Sequence, residues 1–554
     1  MEVACGMSSL DWIILVATLC IIIIYGIYKS THTKNLDGYF LSNNSMPWYL
    51  VLLSIMGTQA SAITFLSAPG QAYTDGMRFV QYYFGLPVAM IVICIFFVPV
   101  FRKLKIYTAY EFLQTRFDVK TRTLTSALFL ISRGLSTGIS VYAPSIILSS
   151  LLGWNIYYTN LVMGGFLIIY TVTGGAKAVA YTQQLQLIIV IAGMFMAGYM
   201  VVHLLPADMN FSDALKSAGS QGRMNVITSG MKNNGFDWKD KYNMWSGVIG
   251  GFFLAFSYFG TDQSQVGRFL TAKSDRESKI GLLMNGIIKV PMQFLILLVG
   301  ILVFTFYQYH RPPVYFDEVQ VTAAKKTVYK DSLNSTELRY YNTLGQKNYH
   351  QADSLRMVYR GYIRKALSDK DANDTNYIFL RFVIENLPKG LVGLLIAMIF
   401  LASWGSIAAA LNALASCTVV DFHKKFINKN CTEEKDYSIS RWYTLFWGLF
   451  SIGVAMFAYN LGNSLIEAVN ILGSIFYGVI LGIFLVAFWI KYINGNAVFI
   501  GSLIAQVLVI VIYSIDIVSF LWLNVIGAVL VIVLSLLVQL LFGFSRASAQ
   551  PSVK

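Results

Sequence analysis

Long apolar runs alternate with short polar connections along the chain, and each run is close to the length needed to cross a bilayer. A hydrocarbon core of roughly 30 Å takes about 20 apolar residues. Such runs recur near 11–28, 47–69, 79–101, 124–150, 156–173, 181–204, 245–269, 280–307, 383–419, 440–460, 464–490, 496–514 and 517–542. The pattern predicts an all-α membrane protein of about thirteen transmembrane helices. Segment 383–419 is too long for one straight span, so either its first turns form a short separate helix or it lies tilted. The first run, Trp12 to Tyr28, has no basic segment before it and Asp11 at its edge, and reads as a retained span rather than a cleaved leader.

Small and polar residues interrupt two of these runs. One cluster is Gly57-Thr58-Gln59-Ala60-Ser61-Ala62-Ile63-Thr64 in the second span, and the other is Ser257-Tyr258-Phe259-Gly260-Thr261-Asp262-Gln263-Ser264 in the seventh. Peptide groups left unpaired in lipid are costly, so such clusters mark local unwinding toward a cavity, or else close helix packing. Two interruptions five spans apart predict an inverted five-plus-five repeat bundle, with one leading and two trailing extra helices and a solute site between the interruptions. The chain then divides into a leading helix and loop (1–46), a first repeat (47–204), an outer loop (205–244), a second repeat (245–490) and two trailing helices with a tail (491–554). The second repeat carries the long polar loop 308–381, which includes an amphipathic stretch from Ser354 to Ser368. That loop reads as a passive insertion, or as a lid or docking surface.

Only 13% of the 554 residues are charged, against about a quarter in soluble domains, which leaves lipid as the main solvent. The net charge of +14 does not point to nucleic acid, because the basic residues sit in the short connections. With the N-terminus outside, Lys29, Lys34, Arg102, Lys103, Lys105, Arg116, Lys120, Arg122, Lys177, Lys273, Arg276, Lys279, Lys424, Lys425, Lys429, Lys435, Arg441 and Lys491 all fall inside, as does the C-terminus with Arg546 and Lys554. This predicts a multi-pass plasma-membrane protein, N-terminus out and C-terminus in. The five cysteines are scattered singly, with no disulfide or metal spacing. No phosphate-binding loop, HExxH or GxSxG is present, which argues against an ATP-driven pump and against an enzyme.

Lys289 stands out among the intramembrane ionisable residues. It lies ten residues beyond Lys279, about 15 Å deep at 1.5 Å per residue. A lysine there costs at least about 2.5–3.5 kcal/mol unless it meets water, a carboxylate or carbonyls. It reads equally as a solute ligand or as half of a structural pair, with Asp262 the candidate partner. Arg133, some ten residues into the fourth span, raises the same question.

Several segments together resemble the sodium/solute symporter family, nearest in the first half to its monocarboxylate, iodide and multivitamin branch. They include Gly38-Tyr39-Phe40-Leu41, Met46-Pro47-Trp48, Ser61-Ala62-Ile63-Thr64-Phe65-Leu66, Phe97-Val98-Pro99-Val100-Phe101, Thr108 to Phe117, Thr173 to Val179 and Gly390 to Leu394. The resemblance implies a sodium ion held by the carbonyls of Gly57, Ala60 and Ala402 and the hydroxyl of Ser406. Where the family has paired hydroxyls this chain has Gly405-Ser406, so one ligand is absent unless Ser403 or water replaces it. Restoring the pair with Gly405→Ser would, by that logic, tighten sodium binding. Ala408 and Ala409 replace the hydroxyls of a second sodium site, and Gln183 stands where an Asp is common. Resemblance to sugar-carrying members implies solute contacts at Thr64, Tyr83, Tyr258 and Lys289, with Tyr258 an inner gate. The expected function is a symporter that imports a small polar solute, sugar or carboxylate, with sodium as the coupling ion. The alternatives are a proton-coupled or uncoupled carrier, or a transporter-like sensor.

Overall fold

The computed structural model describes residues 7–30, 44–233, 235–346, 348–367, 373–428, 433–458 and 464–542. Lys34, the motif from Gly38 to Leu41, Lys429, Cys431 and the tail with Arg546 and Lys554 lie outside them, as do the side chains of 173–178. Among the described residues the regular structure is helical, apart from one small hairpin, β1 (Met231–Lys232) with β2 (Gly235–Phe236), and a single bridge between Met46 and Ala272. Eight helices are long and apolar enough to cross a membrane by length and composition, and four more apolar helices are shorter. The expected set of thirteen full spans is therefore not reproduced one for one.

The differences have local causes. The second span is two pieces, α2 (Trp48–Gln59) and α3 (Ala62–Asp75), after α1 (Ser9–Ser30). The third is α4 (Leu86–Val92) and α5 (Val98–Leu104), joined by a π-helical turn at Ile93–Phe97. After α6 (Glu111–Arg116) and α7 (Val119–Leu152), the expected fifth and sixth spans form one helical segment, α8 (Ile156–His203). That segment is not straight. Twelve residues of helix rise about 18 Å, yet the Tyr170 and Thr182 hydroxyls are 2.7 Å apart, so the axis must bend sharply between them.

Beyond α9 (Phe211–Ser220), the seventh span is split into α10 (Gly251–Thr261) and α11 (Gln263–Leu270) and is followed by α12 (Asp275–Tyr309). The long polar loop holds α13 (Glu318–Ala324), α14 (Lys330–Gly345) and α15 (Tyr349–Leu367). The overlong segment resolves into α16 (Thr375–Asn386) and α17 (Leu391–Cys417), separated at Gly390, whose φ of +91° suits a residue without Cβ. Asp11 of α1 accepts from the Gly390 and Gly393 amides at 2.6 and 3.0 Å, capping α17 from another helix. The chain ends with α18 (Glu433–Ala455), α19 (Leu465–Trp489), α20 (Gly495–Ile515) and α21 (Phe520–Leu541).

Helix pairings repeat in the manner of an inverted bundle. α2 packs on α8 and α12, while α10, five spans later, packs on α19 and α4. α17 packs on α8, and α7 on α19, while α7 and α17 pack on each other. A buried ion pair, Arg122 Nη2 to Asp421 Oδ1 at 2.5 Å, ties the start of α7 to the π-helical extension of α17, with Thr108 and Ser126 donating to the same carboxylate. Arg122 thus serves packing as well as membrane orientation.

The helices of this loop form a small body with its own core of Val314, Tyr315, Leu333, Tyr340, Leu355, Tyr359 and Ile363. Buried Asp374 accepts from Arg356, Arg360 and the Phe316 amide. The Phe316 ring lies 5.8 Å from that of Tyr73, near the C-terminal end of α3. Asp317 caps α13 through the Gln320 amide. Burial, more than any neighbouring charge, pushes its carboxyl from the ordinary 3.8 up to about 6.

Between those two values the folded form holds a proton that the unfolded form releases, so stability falls as pH rises through that window. Asparagine keeps the cap without the charge. Asp317→Asn is expected to slow hydrogen–deuterium exchange across 314–367 at least tenfold at pH 7.5 and to leave it unchanged at pH 3, below the ordinary value of 3.8. Equal exchange of the two proteins at pH 7.5 would refute the buried-charge reading.

Candidate functional site

Both interruptions leave helical geometry within a single residue or two. At the first, Ala60 has φ −81° and ψ 86°, and Ser61 is extended. The Ser61 amide bonds the Gln59 carbonyl at 3.1 Å and the Thr64 amide bonds the Ser61 carbonyl at 2.9 Å. In a continuous helix these amides would serve the carbonyls of Gly57 and Ala60, which therefore lose their usual donors. At the second, Asp262 has ψ 119° and caps α11, its Oδ1 accepting from the Ser264 amide at 2.8 Å and the Ser264 hydroxyl at 2.6 Å. Its Oδ2 accepts from Tyr477 at 2.8 Å and faces Arg133 Nη1 at 3.8 Å.

Between the breaks lies a cavity of about 120 Å³. Thr64, Tyr83, Tyr258 and Ser406 line it, together with Gln59 and Arg133. Lys289 does not. It is fully buried behind Tyr83, with Nζ 6.0 Å from that ring's centre and, among the described residues, no hydrogen-bond partner. The proposed pairing of Lys289 with Asp262 is not formed, because Asp262 is taken by Ser264, Tyr477 and Arg133.

The sequence reading passed over the hydroxyls of α7. Arg133, Ser136, Thr137 and Ser140 line the cavity from one face of that helix. Their spacing of three, four and seven residues marks a single helical face, a signal present in the sequence. Asn470 and Tyr477 of α19 also line it, and nothing nearby in sequence announces them.

α17 passes both halves of the first broken helix and is itself unbroken through Ala402 and Ser406. The Ser406 hydroxyl donates to the Ser403 carbonyl at 2.9 Å, leaving its oxygen lone pairs free to accept. The Ser403 hydroxyl faces Ser140 of α7 at 3.5 Å instead of the break. Gln183 is the local tie, donating to the Gly405 carbonyl at 3.0 Å and the Thr58 hydroxyl at 3.3 Å, and accepting from Ser54 at 3.0 Å. This also explains the glycine at 405. A Cβ there would meet Gln186 Oε1 at 2.5 Å and Gln183 Cγ at 3.1 Å. A serine would have to move the flexible end of Gln186 and press on Gln183.

A match to the family model described as the Sodium:solute symporter family covers residues 39–325 and 357–505. The chain belongs to that family. It is a sodium-coupled secondary transporter of a small polar solute, a multi-pass plasma-membrane protein and not an enzyme. The unmatched stretch between the two segments takes in all of α14 and the first turns of α15. Similar proteins include the sodium/sialic acid symporter NanT of Aliivibrio fischeri, 25% identical over 537 residues, covering 97% of this chain and 94% of that one. Another is the sodium-coupled monocarboxylate transporter 1 of Xenopus laevis, 26% identical over 498 residues, covering 89% of this chain and 70% of that one. A solved structure of a Na+-coupled sialic acid symporter, described as substrate-bound and outward-open, aligns with a TM-score of 0.78 at 22% identity, covering 98% of this chain and all of that one. At that identity the likeness speaks for the fold.

Proposed function

We propose that this symporter imports a small organic acid by alternating access, with Arg133 receiving its carboxylate. One observation carries the reading: the Arg133 guanidinium lines the cavity, 8% exposed, and its one carboxylate neighbour stands off at 3.8 Å. Its Nε has no partner. A guanidinium held in this way suits two parallel bonds to a carboxylate. Two of the similar proteins carry acids by name, sialic acid and monocarboxylates. Thr64, Tyr83 and Tyr258 would complete the solute contacts, with Lys289 reaching the solute only when Tyr83 moves aside.

Sodium would sit at the first break, bound by the freed carbonyls of Gly57 and Ala60, the second lone pair of the Ala402 carbonyl and the Ser406 hydroxyl. These are hard oxygen donors, which suit a hard cation. We further propose the thirteen-span count with α8 folded into two spans, the five-plus-five division with the domain limits given above, and the N-terminus outside. The repeated pairings of α2 and α10 and the clustered basic connections support these assignments.

Proteoliposomes with an inward sodium gradient test the reading, using labelled sialic acid and lactate as probes. One of the two acids should accumulate, unlabelled glucose should not compete, and Arg133→Gln should lower uptake at least tenfold. Full competition by glucose, or uptake retained in Arg133→Gln, would overturn the assignment of an acid. In the same assay Ser406→Ala should raise the half-saturating sodium concentration severalfold, and unchanged sodium activation would remove Ser406 from the ion site. Orientation is read separately in a cysteine-free background. Val328→Cys, 92% exposed in the wild type, should react with an impermeant maleimide from outside and Asn428→Cys should not. The opposite labelling pattern would invert the topology.

A further inference from the structure

A second polar pocket lies across the broken helix from the cavity, between α11 and α17. It is about 20 Å³ in volume and is lined by Arg268, Asn412, Ser416, Gln263 and Ser264, with Ala409 and Ala413 beside them. Arg268 is 5% exposed; the titratable group facing its guanidinium is the neutral Tyr170, and among the described residues it forms no ion pair. Asn412 is 4% exposed with both amide atoms unpartnered, and Ser416 is 3% exposed with its hydroxyl unpartnered. The other two polar side chains are committed elsewhere. Gln263 bonds the Ala109 amide and the Tyr107 carbonyl, and Ser264 bonds Asp262. No carboxylate lines the pocket, since Asp262 faces Ser264, Tyr477 and Arg133.

A buried charge without a counter-charge costs several kcal/mol. Water could satisfy the hydrogen bonds here, but it cannot neutralise the guanidinium. The free groups offer a guanidinium, an amide N–H and a hydroxyl as donors against one obligate acceptor, the Asn412 amide oxygen, and the uncompensated positive charge selects for an anion. The volume admits one water-sized occupant. The two alanines, one turn apart on α17, carry no side chain long enough to fill it.

We infer that Arg268, Asn412 and Ser416 form a binding site for a single small anion, separate from the cavity at Arg133. A halide ion and the carboxylate of the departing solute share this chemistry, and the second source rests on the proposed function above. On the proposed orientation the pocket lies on the cytoplasmic side of the break, toward Lys273 and Lys279.

Crystals of the full chain grown in sodium bromide read the site directly. An anomalous bromide peak is expected within hydrogen-bond reach of Arg268 and Asn412 in the wild type, and it should vanish in Arg268→Gln. Should that variant fail to fold, Asn412→Leu keeps the charge and should reduce the peak. No wild-type peak in this pocket, or a peak undiminished in both variants, would overturn the inference, whatever is seen at Arg133. The two sources separate in proteoliposomes. Replacing internal chloride by gluconate should slow uptake of the transported acid if a halide is the occupant. Uptake indifferent to chloride, but slowed in Arg268→Gln with solute affinity retained, assigns the pocket to the carboxylate. The bromide result stands even if no acid is transported.

Discussion

Two helices stop in mid-membrane, and lipid offers no hydrogen bonds to the peptide groups they leave behind. Everything around the breaks follows from finding those groups partners or leaving them open to a ligand. At the second break the protein supplies the partner itself, because the Asp262 side chain caps α11 and Tyr477 and Arg133 address its other oxygen. The first break is treated differently. Its amides turn to nearer carbonyls, which frees those of Gly57 and Ala60, and the Gln183 amide fastens the adjoining turn to α17. One interruption is closed by a side chain and the other retains unspent oxygens, an asymmetry that suits a bundle binding a cation at one break only.

Cations are distributed by the same logic. Arg122, at the start of α7, meets Asp421 at 2.5 Å and is a closed structural unit. Arg116 donates to the carbonyls of Ala487, Ile490 and Lys491, where α19 ends and its carbonyls need donors. Arg133, Arg268 and Lys289 are buried as deeply but are not balanced in this way. Burying charge without full compensation is expensive in folding, so its presence in three places near the breaks argues that the missing partners are ligands or arise in another conformation.

The helices of the long polar loop add a separate constraint. Their core is joined to the bundle through Phe316, Tyr73 and the Asp374 cluster, and Tyr73 belongs to the helix that follows the first break. Movement of that helix therefore has to carry or break an aromatic contact with this body. Asp374 is held below the usual carboxylate range by Arg356 and Arg360 despite its burial, so the joint remains charged at neutral pH.

By itself the sequence determined the solvent, the helical class and the places where helices fail. Apolar length dictates spans, and Gly-Thr-Gln-Ala-Ser in one span and Gly-Thr-Asp-Gln-Ser in another cannot be ordinary lipid-facing helix. The amphipathic stretch near 354–368 was legible for the same reason, and α15 occupies it. Partnership was not legible. Lys289 could be placed in depth but not in direction, and only packing put Tyr83 between it and the cavity. Asp262 was expected to meet Lys289, and the fold gave it instead to Arg133, 129 residues away in the chain. The role of Gly405 depended on two glutamines more than two hundred residues earlier. Periodicity is a local property that a chain displays residue by residue, whereas the choice of partner is made by which helices end up side by side.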